Sequence, residues 1–169
     1  HGKDFDTVFN KEHPPGFRWL HRSFGTNFRM TEMQAAIGRK QLAKLELWNE
    51  IRTKNVETLS SVLSNYSFIR IPNVPENIRH GYYKFYVFFD VSKAPQGLDR
   101  DLFINKVFEQ GLRCMQGSCY NITYENAFTA FPDQYQKKLP NANVLGDSSI
   151  MFLVDHTIKY DKQALLNCL

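Results

Sequence analysis

Apolar residues recur at Met33, Ile37, Leu42, Leu45, Trp48, Ile51, Val56, Leu59 and Leu63, mostly three or four positions apart. That spacing lines one face of an α-helix. Thr31 and Gln34 stand at its start with the separation of a capping box, in which the threonine oxygen accepts from a free backbone N–H and the glutamine reaches back. Glu50 and Lys54 add a favourable i, i+4 pair. The pattern predicts one helix over 31–64, roughly 50 Å long at 1.5 Å per residue. Such a helix outreaches a small domain and suits a connection between two domains. Gly38 inside it costs about 1 kcal/mol relative to alanine, which close approach of a neighbouring backbone would explain.

Residues 1–30 read as a loop segment, punctuated by Pro14, Pro15 and Gly16. Phe17, Trp19, Leu20 and Phe24 are interspersed there with Arg18, His21 and Arg22. So many large apolar groups are expected to press on another surface, a further domain or a partner subunit. Beyond Asn65 the period changes. Phe68 to Ile71 predicts a short strand ended by Pro72, and Tyr82 to Val91 a longer one with Tyr83, Phe85, Val87, Phe89 and Val91 on one face. Asp99 caps a predicted helix to about Gln110, anchored by Leu102, Phe103, Val107 and Phe108, and Gly111 suits its left-handed stop. Leu112 to Met115 predicts a returning strand, which makes a strand–helix–strand unit. Residues 117–145 read as irregular with a short helix near Tyr124 to Ala127, Ile150 to Val154 as a buried strand, and Asp161 as the start of a last helix. The fold class is α/β, and 65–169 is expected to form one small domain.

The composition, 43% hydrophobic and 22% charged, is that of an ordinary globular protein. The net charge of +4 comes from scattered residues rather than a basic stripe, which argues against nucleic-acid binding. Cys114, Cys119 and Cys168 form no C-x-x-C pair, so neither a disulfide framework nor a metal site is expected, and free thiols fit a cytoplasmic location. No apolar run approaches a membrane span. The chain opens at His1-Gly2-Lys3-Asp4 without an initiator methionine and ends soon after a helix begins, so it reads as a piece of a longer protein.

Candidate chemistry is sparse. His1, His13, His21, His80 and His156 sit in no recognised catalytic motif. Asp155-His156 follows a buried strand and reads chiefly as a local hydrogen-bonding device. The segment Gly25-Thr26-Asn27-Phe28-Arg29-Met30-Thr31 precedes the long helix. A helix N-terminus offers free N–H groups and a positive dipole end, Asn27 an amide, and Arg29 a fork for carboxylate or phosphate. An anion site and a plain capped turn are equally compatible with these residues.

The same segment resembles the signature of the DegT/StrS-type sugar aminotransferases. Their pattern G-x-N-x-R-M-[ST]-[DE], then x-Q-A-A-I-G, then Q-L with a following leucine, stands here as Gly25 to Glu32, Gln34 to Gly38, and Gln41-Leu42 with Leu45. About fourteen specified positions fall in order. Gly117-Ser118-Cys119 with Glu125, Ala127 and Phe128 resembles a branch used in surface polysaccharide synthesis.

The resemblance implies the C-terminal small domain of a fold type I pyridoxal-phosphate (PLP) aminotransferase, with a long connecting helix and a small, mostly antiparallel sheet. It implies a homodimer in which Asn27 reaches the partner's PLP phosphate, with Arg29, Gly117, Ser118 and Cys119 near the substrate. The Schiff-base lysine and the aspartate that partners the pyridinium would lie upstream of His1. Asp155-His156 departs from the family's more usual His-Pro. The implied activity is amino transfer, from a donor such as glutamate, to a nucleotide-linked keto-deoxysugar for lipopolysaccharide or a similar glycan. The alternative for these 169 residues alone is a catalytically inert folding and dimerisation module. A nucleotide-binding module unrelated to amino transfer has only the mild positive charge and Arg29 in its favour.

Overall fold

The computed structural model describes residue 2 and residues 5–9, 23–26, 28–117, 120–128 and 139–168. The chain divides into two compact units, His1–Ala43 and Lys44–Leu169.

In the first unit, α1 spans Phe5–Phe9, so a short helix stands within the expected loop. Gly2, at φ +79°, accepts from Ser23 N–H at 3.1 Å, and a Cβ at residue 2 would meet the Ser23 carbonyl oxygen at 1.9 Å. Helix α2 spans Glu32–Leu42 and opens on the expected capping box at Thr31. None of its residues is buried.

The single helix expected over 31–64 is two helices. Ala43 and Lys44 separate α2 from α3, which spans Leu45–Leu63. Both residues keep right-handed angles, with φ at Lys44, −97°, wide of the helical value. The close neighbour expected at Gly38 is not found either: among the described residues nothing lies within 4 Å of a Cβ placed there. Gly38→Ala should therefore stabilise α2 by about 0.4–1 kcal/mol, read as a rise in helical circular dichroism; loss of helicity would show that the glycine answers to something packed upon it.

In the second unit, four strands form one antiparallel sheet: β1 Ile69–Arg70, β2 Phe85–Phe89, β3 Cys114–Gln116 and β4 Ser149–Phe152, in the order β1-β2-β4-β3. The expected strand–helix–strand unit is split. Helix α4, Arg100–Glu109, carries the chain from β2 to β3, and β4 inserts between them antiparallel to both. The register pairs Phe85 with Phe152 and Cys114 with Phe152. Helix α5, Pro140–Ser148, occupies part of the stretch expected to be irregular, and α6 spans Lys162–Cys168. Near Tyr124 the chain makes 3-10 turns, Ile122–Tyr124 and Asn126–Phe128.

Local signals act as expected. Asp99 Oδ1 accepts from Leu102 N–H at 2.8 Å, Asp161 Oδ1 accepts from Ala164 N–H at 2.9 Å, and Gly111 stands at φ +86°. One face of α3 (Val56, Leu59, Val62, Leu63) packs in the core with Phe85, Val87 and Phe89 of β2, with Phe103, Ile104 and Val107 of α4, and with Leu165 of α6. Phe68, Phe89 and Phe103 form a triangle of rings 5.4–6.0 Å apart, a favourable aromatic spacing.

The core differs from expectation at the ends of elements. Tyr83 and Val91 lie beyond the paired part of β2 and are exposed; Leu102 and Phe108 of α4 are exposed, and Ile104 is buried instead. Cys114 is buried with its Sγ 3.7 Å from the Ile104 carbonyl, and burial pushes its thiol up to about 11. It is therefore a neutral packing group rather than a nucleophile. No helix among the described residues is long and apolar enough to cross a membrane.

Candidate functional site

The loop that carries the family-like motif leads into α2. Asn27 lies outside the described residues, and Arg29 lies on an exposed stretch of chain in no helix or strand. Gln34 N–H donates to Thr31 Oγ1 at 3.3 Å, and Thr31 N–H donates to Gln34 Oε1 at 3.0 Å. The capping box thus engages two of the N–H groups that an anion would use. Glu32 adds a carboxylate in the same first turn. These groups turn the helix end away from a phosphate. The donor set suited to one is on the loop, an amide at Asn27 and a guanidinium at Arg29.

That loop is set among apolar side chains that the first unit does not cover. Phe28 is 92% exposed and Met33 is 78% exposed, and Phe24, Met30 and Ile37 are exposed with them. Met33 and Ile37 lie four apart on one face of α2. A capped helix of eleven residues that buries none of them takes its stability from packing only when something covers that face.

The second group of candidate residues lies at the end of β3. Ser118 and Cys119 are outside the described residues. Gly117 N–H donates to the Ser149 carbonyl at 3.0 Å, which extends the β3–β4 ladder by one rung. A Cβ at residue 117 would lie 2.1 Å from Ser149 Oγ and 2.4 Å from its Cβ. Close strand approach therefore accounts for glycine here. Gly117→Ala should cost about 1–3 kcal/mol through overpacking, seen as a lower denaturation midpoint; an unchanged midpoint would free Gly117 from this structural duty.

Asp155-His156 forms a turn. Asp155 Oδ1 accepts from Thr157 N–H at 2.9 Å and from the Thr157 hydroxyl. That hydroxyl, ahead of other causes, holds the Asp155 carboxyl below its ordinary range. The His156 ring stacks on Trp48 at 4.2 Å and 19°. Trp48 is half-buried and takes Lys44 Nζ at 5.9 Å from its ring centre. His1, His13 and His21 lie outside the described residues.

A family model for the DegT/DnrJ/EryC1/StrS aminotransferases matches residues 8–164. The chain belongs to this family. An aminotransferase structure from Psychrobacter cryohalolentis matches 99% of the chain at 36% identity with a TM-score of 0.80, over 45% of its own length. An Escherichia coli GDP-4-keto-6-deoxy-D-mannose-3-dehydratase with bound hydrated PLP matches 99% of the chain at 20% identity, TM-score 0.65, over 40% of its length. Helicobacter pylori PseC, an aminotransferase of pseudaminic acid biosynthesis, matches 88% at 14% identity, TM-score 0.67, again over 40%. No curated protein sequence matches. The chain thus spans less than half the length of these solved relatives and has the small-domain fold of the fold type I PLP aminotransferases, whose cofactor in this family is PLP.

Within this DegT-family domain, sequence reasoning missed Asn55. It is buried in α3, and its Nδ2 donates to the Ile158 carbonyl at 2.9 Å and lies 3.4 Å from the carbonyls of Val154 and Asp155. Its Oδ1 accepts from Tyr160 N–H at 3.3 Å. One amide so fixes the whole 154–160 turn. Nothing in the spacing of residues about a hundred apart could have signalled it. The stacked pair Tyr120–Tyr124 was missed as well, rings 5.7 Å apart at 27°.

Proposed function

We propose that this chain is the small-domain half of a PLP-dependent sugar aminotransferase, acting in a homodimer to aminate the keto group of a nucleotide-linked deoxysugar with glutamate as amino donor, for a surface polysaccharide such as lipopolysaccharide. PLP, when bound, supplies the electron sink and carries the amino group between donor and acceptor. Asn27 donates its amide to the cofactor phosphate held by the partner subunit. Arg29 presents a guanidinium to substrate anion or braces that loop. Ser118 and Cys119, just past the β3–β4 rung at Gly117, border the sugar. The lysine that binds the cofactor is supplied by polypeptide other than these 169 residues, so the chain by itself is inert.

The observation that carries this reading is the bare apolar face of α2 beside the Asn27–Arg29 loop. Exposed apolar side chains next to the motif in sequence support a site that is completed by further polypeptide. The choice of a loop donor set over the helix end follows from the capping box at Thr31.

The test is amino transfer by the intact protein, followed as glutamate-dependent conversion of nucleotide-linked keto-deoxysugars to amino sugars by mass spectrometry. Asn27→Ala should weaken PLP retention by about 1–3 kcal/mol, the cost of leaving a charged acceptor unsatisfied, measured by equilibrium dialysis. Unchanged retention removes Asn27 from the phosphate. For the 169-residue chain with added PLP, no Schiff-base absorbance and no borohydride-fixed adduct are expected.

A further inference from the structure

Four residues past Gly117, Asn121 is buried to 3% and acts as the hub of a small polar network. Its Oδ1 accepts from Thr123 N–H at 3.1 Å, and its Nδ2 donates to Asn143 Oδ1 of α5 at 3.0 Å. The Asn143 amide in turn lies 3.5 Å from the Tyr124 hydroxyl. Beside it the Tyr120 ring lies against the backbone of α5: a Cβ at Gly146 would meet Tyr120 Cδ2 at 2.1 Å. Desolvation, then the Asp147 carboxylate, pushes the Tyr120 hydroxyl above its ordinary range.

Two aromatic rings thus stand as a stacked pair, Tyr120 against α5 and Tyr124 on the turn that Asn121 caps and ties to Asn143. Tyr124 is nevertheless 63% exposed and Tyr120 40% exposed. Fixed and exposed rings, rimmed by a carboxamide and a carboxylate, match a ligand with one apolar face and an edge of hydroxyl donors. A pyranose has that form: its axial C–H hydrogens are polarised positive and favour the negative face of a π-system, and its hydroxyls donate to carboxylate and amide oxygens. A diphosphate would instead need cations, and the neighbouring Arg100 is already engaged by the Gly146 carbonyl and the Asp101 carboxylate, beside the anion Asp147.

We propose that Tyr124, backed by Tyr120, is the stacking platform for the pyranose ring of the nucleotide-linked sugar, and that it sets the preference of this site for sugar over bare nucleotide. This assignment rests on the sugar aminotransferase reading above, but its test is independent of amino transfer.

Calorimetric titration of the intact protein with UDP-, dTDP- and GDP-linked 6-deoxyhexoses, each beside its bare nucleotide, isolates the contribution of the sugar. The sugar should add about fivefold or more in affinity for at least one nucleotide. Tyr124→Ala should abolish that gain and leave the bare nucleotide unchanged, whereas Tyr124→Phe, which keeps the ring, should retain it. Tyr124→Leu, similar in bulk and apolar, should behave as the alanine variant and so separates stacking from simple space filling. A gain that survives Tyr124→Ala overturns the proposal. So does a wild-type protein in which the sugar adds nothing, and so does an equal loss of bare nucleotide, which would make the platform a base-stacking site. Sugar-dependent binding that follows this pattern in a protein showing no amino transfer would sink the aminotransferase reading and leave the platform standing.

Discussion

Replacing Phe152 with alanine should destabilise the Lys44–Leu169 unit by about 3–5 kcal/mol, the usual cost of emptying a buried aromatic site. Phe152 is fully buried, on the interior strand β4, and is paired with Phe85 on one side and Cys114 on the other. Neither neighbour can follow the lost ring inward, because each is held by its own rungs of the ladder. The cavity therefore stays open, and its unfilled volume adds to the lost transfer free energy. Urea melts should show a lower midpoint at unchanged slope. A loss below about 1 kcal/mol would mean that the sheet collapses around the gap, and Phe152 would cease to be the keystone of this core.

Asn55→Ala comes next in size, at about 3 kcal/mol. The alanine removes the donor used by the Ile158 carbonyl and the acceptor used by Tyr160 N–H, both on the turn that Asn55 holds. Each backbone group left without a partner away from water costs about 1–3 kcal/mol. The same turn has a second tie, the Tyr160 hydroxyl donating to the Leu153 carbonyl at 2.6 Å, so it should loosen rather than detach. Amide hydrogen exchange should therefore quicken at Ile158 to Tyr160 before the rest of the unit, and the midpoint should fall. Uniform exchange across the unit with no loss of midpoint would show that water replaces the amide without penalty. Because Trp48 stacks on His156 in that turn, tryptophan fluorescence offers a second readout of the same loosening.

The two variants probe the two parts of the domain that were unequally visible in its residues. Phe152 falls within an apolar run that reads directly as a buried strand, and β4 is found there, starting one residue earlier and ending two residues earlier than expected. The same holds for caps: Thr31, Asp99 and Asp161 act on N–H groups three residues away, so their meaning is contained in a few consecutive positions. Asn55 has partners about a hundred residues away, and no local pattern distinguishes it from a surface asparagine of a helix. Trp48 shows the converse error. The helical spacing marks it as an anchor, yet it is half-buried, because the face of α3 toward the sheet begins a turn or two later, at Asn55 and Val56. On α4 the spacing selects Leu102, Phe103, Val107 and Phe108, of which only Phe103 and Val107 are buried, together with Ile104. A helix pattern fixes which residues share a face; the neighbouring layer fixes which part of that face is covered.

The candidate site was legible to a similar extent. The motif through Asn27 and Arg29 is contiguous, and so it can be read without a structure. The cap on its adjoining helix was legible too, from Thr31 and Gln34 three positions apart, whereas the need for glycine at 117 opposite Ser149 and the stacking of Tyr120 on Tyr124 emerged only in three dimensions. By itself the order of residues determined the family, the helix caps and the strands with continuous apolar runs, since each of these is set by groups only a few positions apart. The tertiary structure decided the β1-β2-β4-β3 order, the interruption at Ala43–Lys44, the true core faces and the bare side of α2. Those depend on which distant surfaces meet, and burial is a property of the meeting surfaces rather than of either one alone.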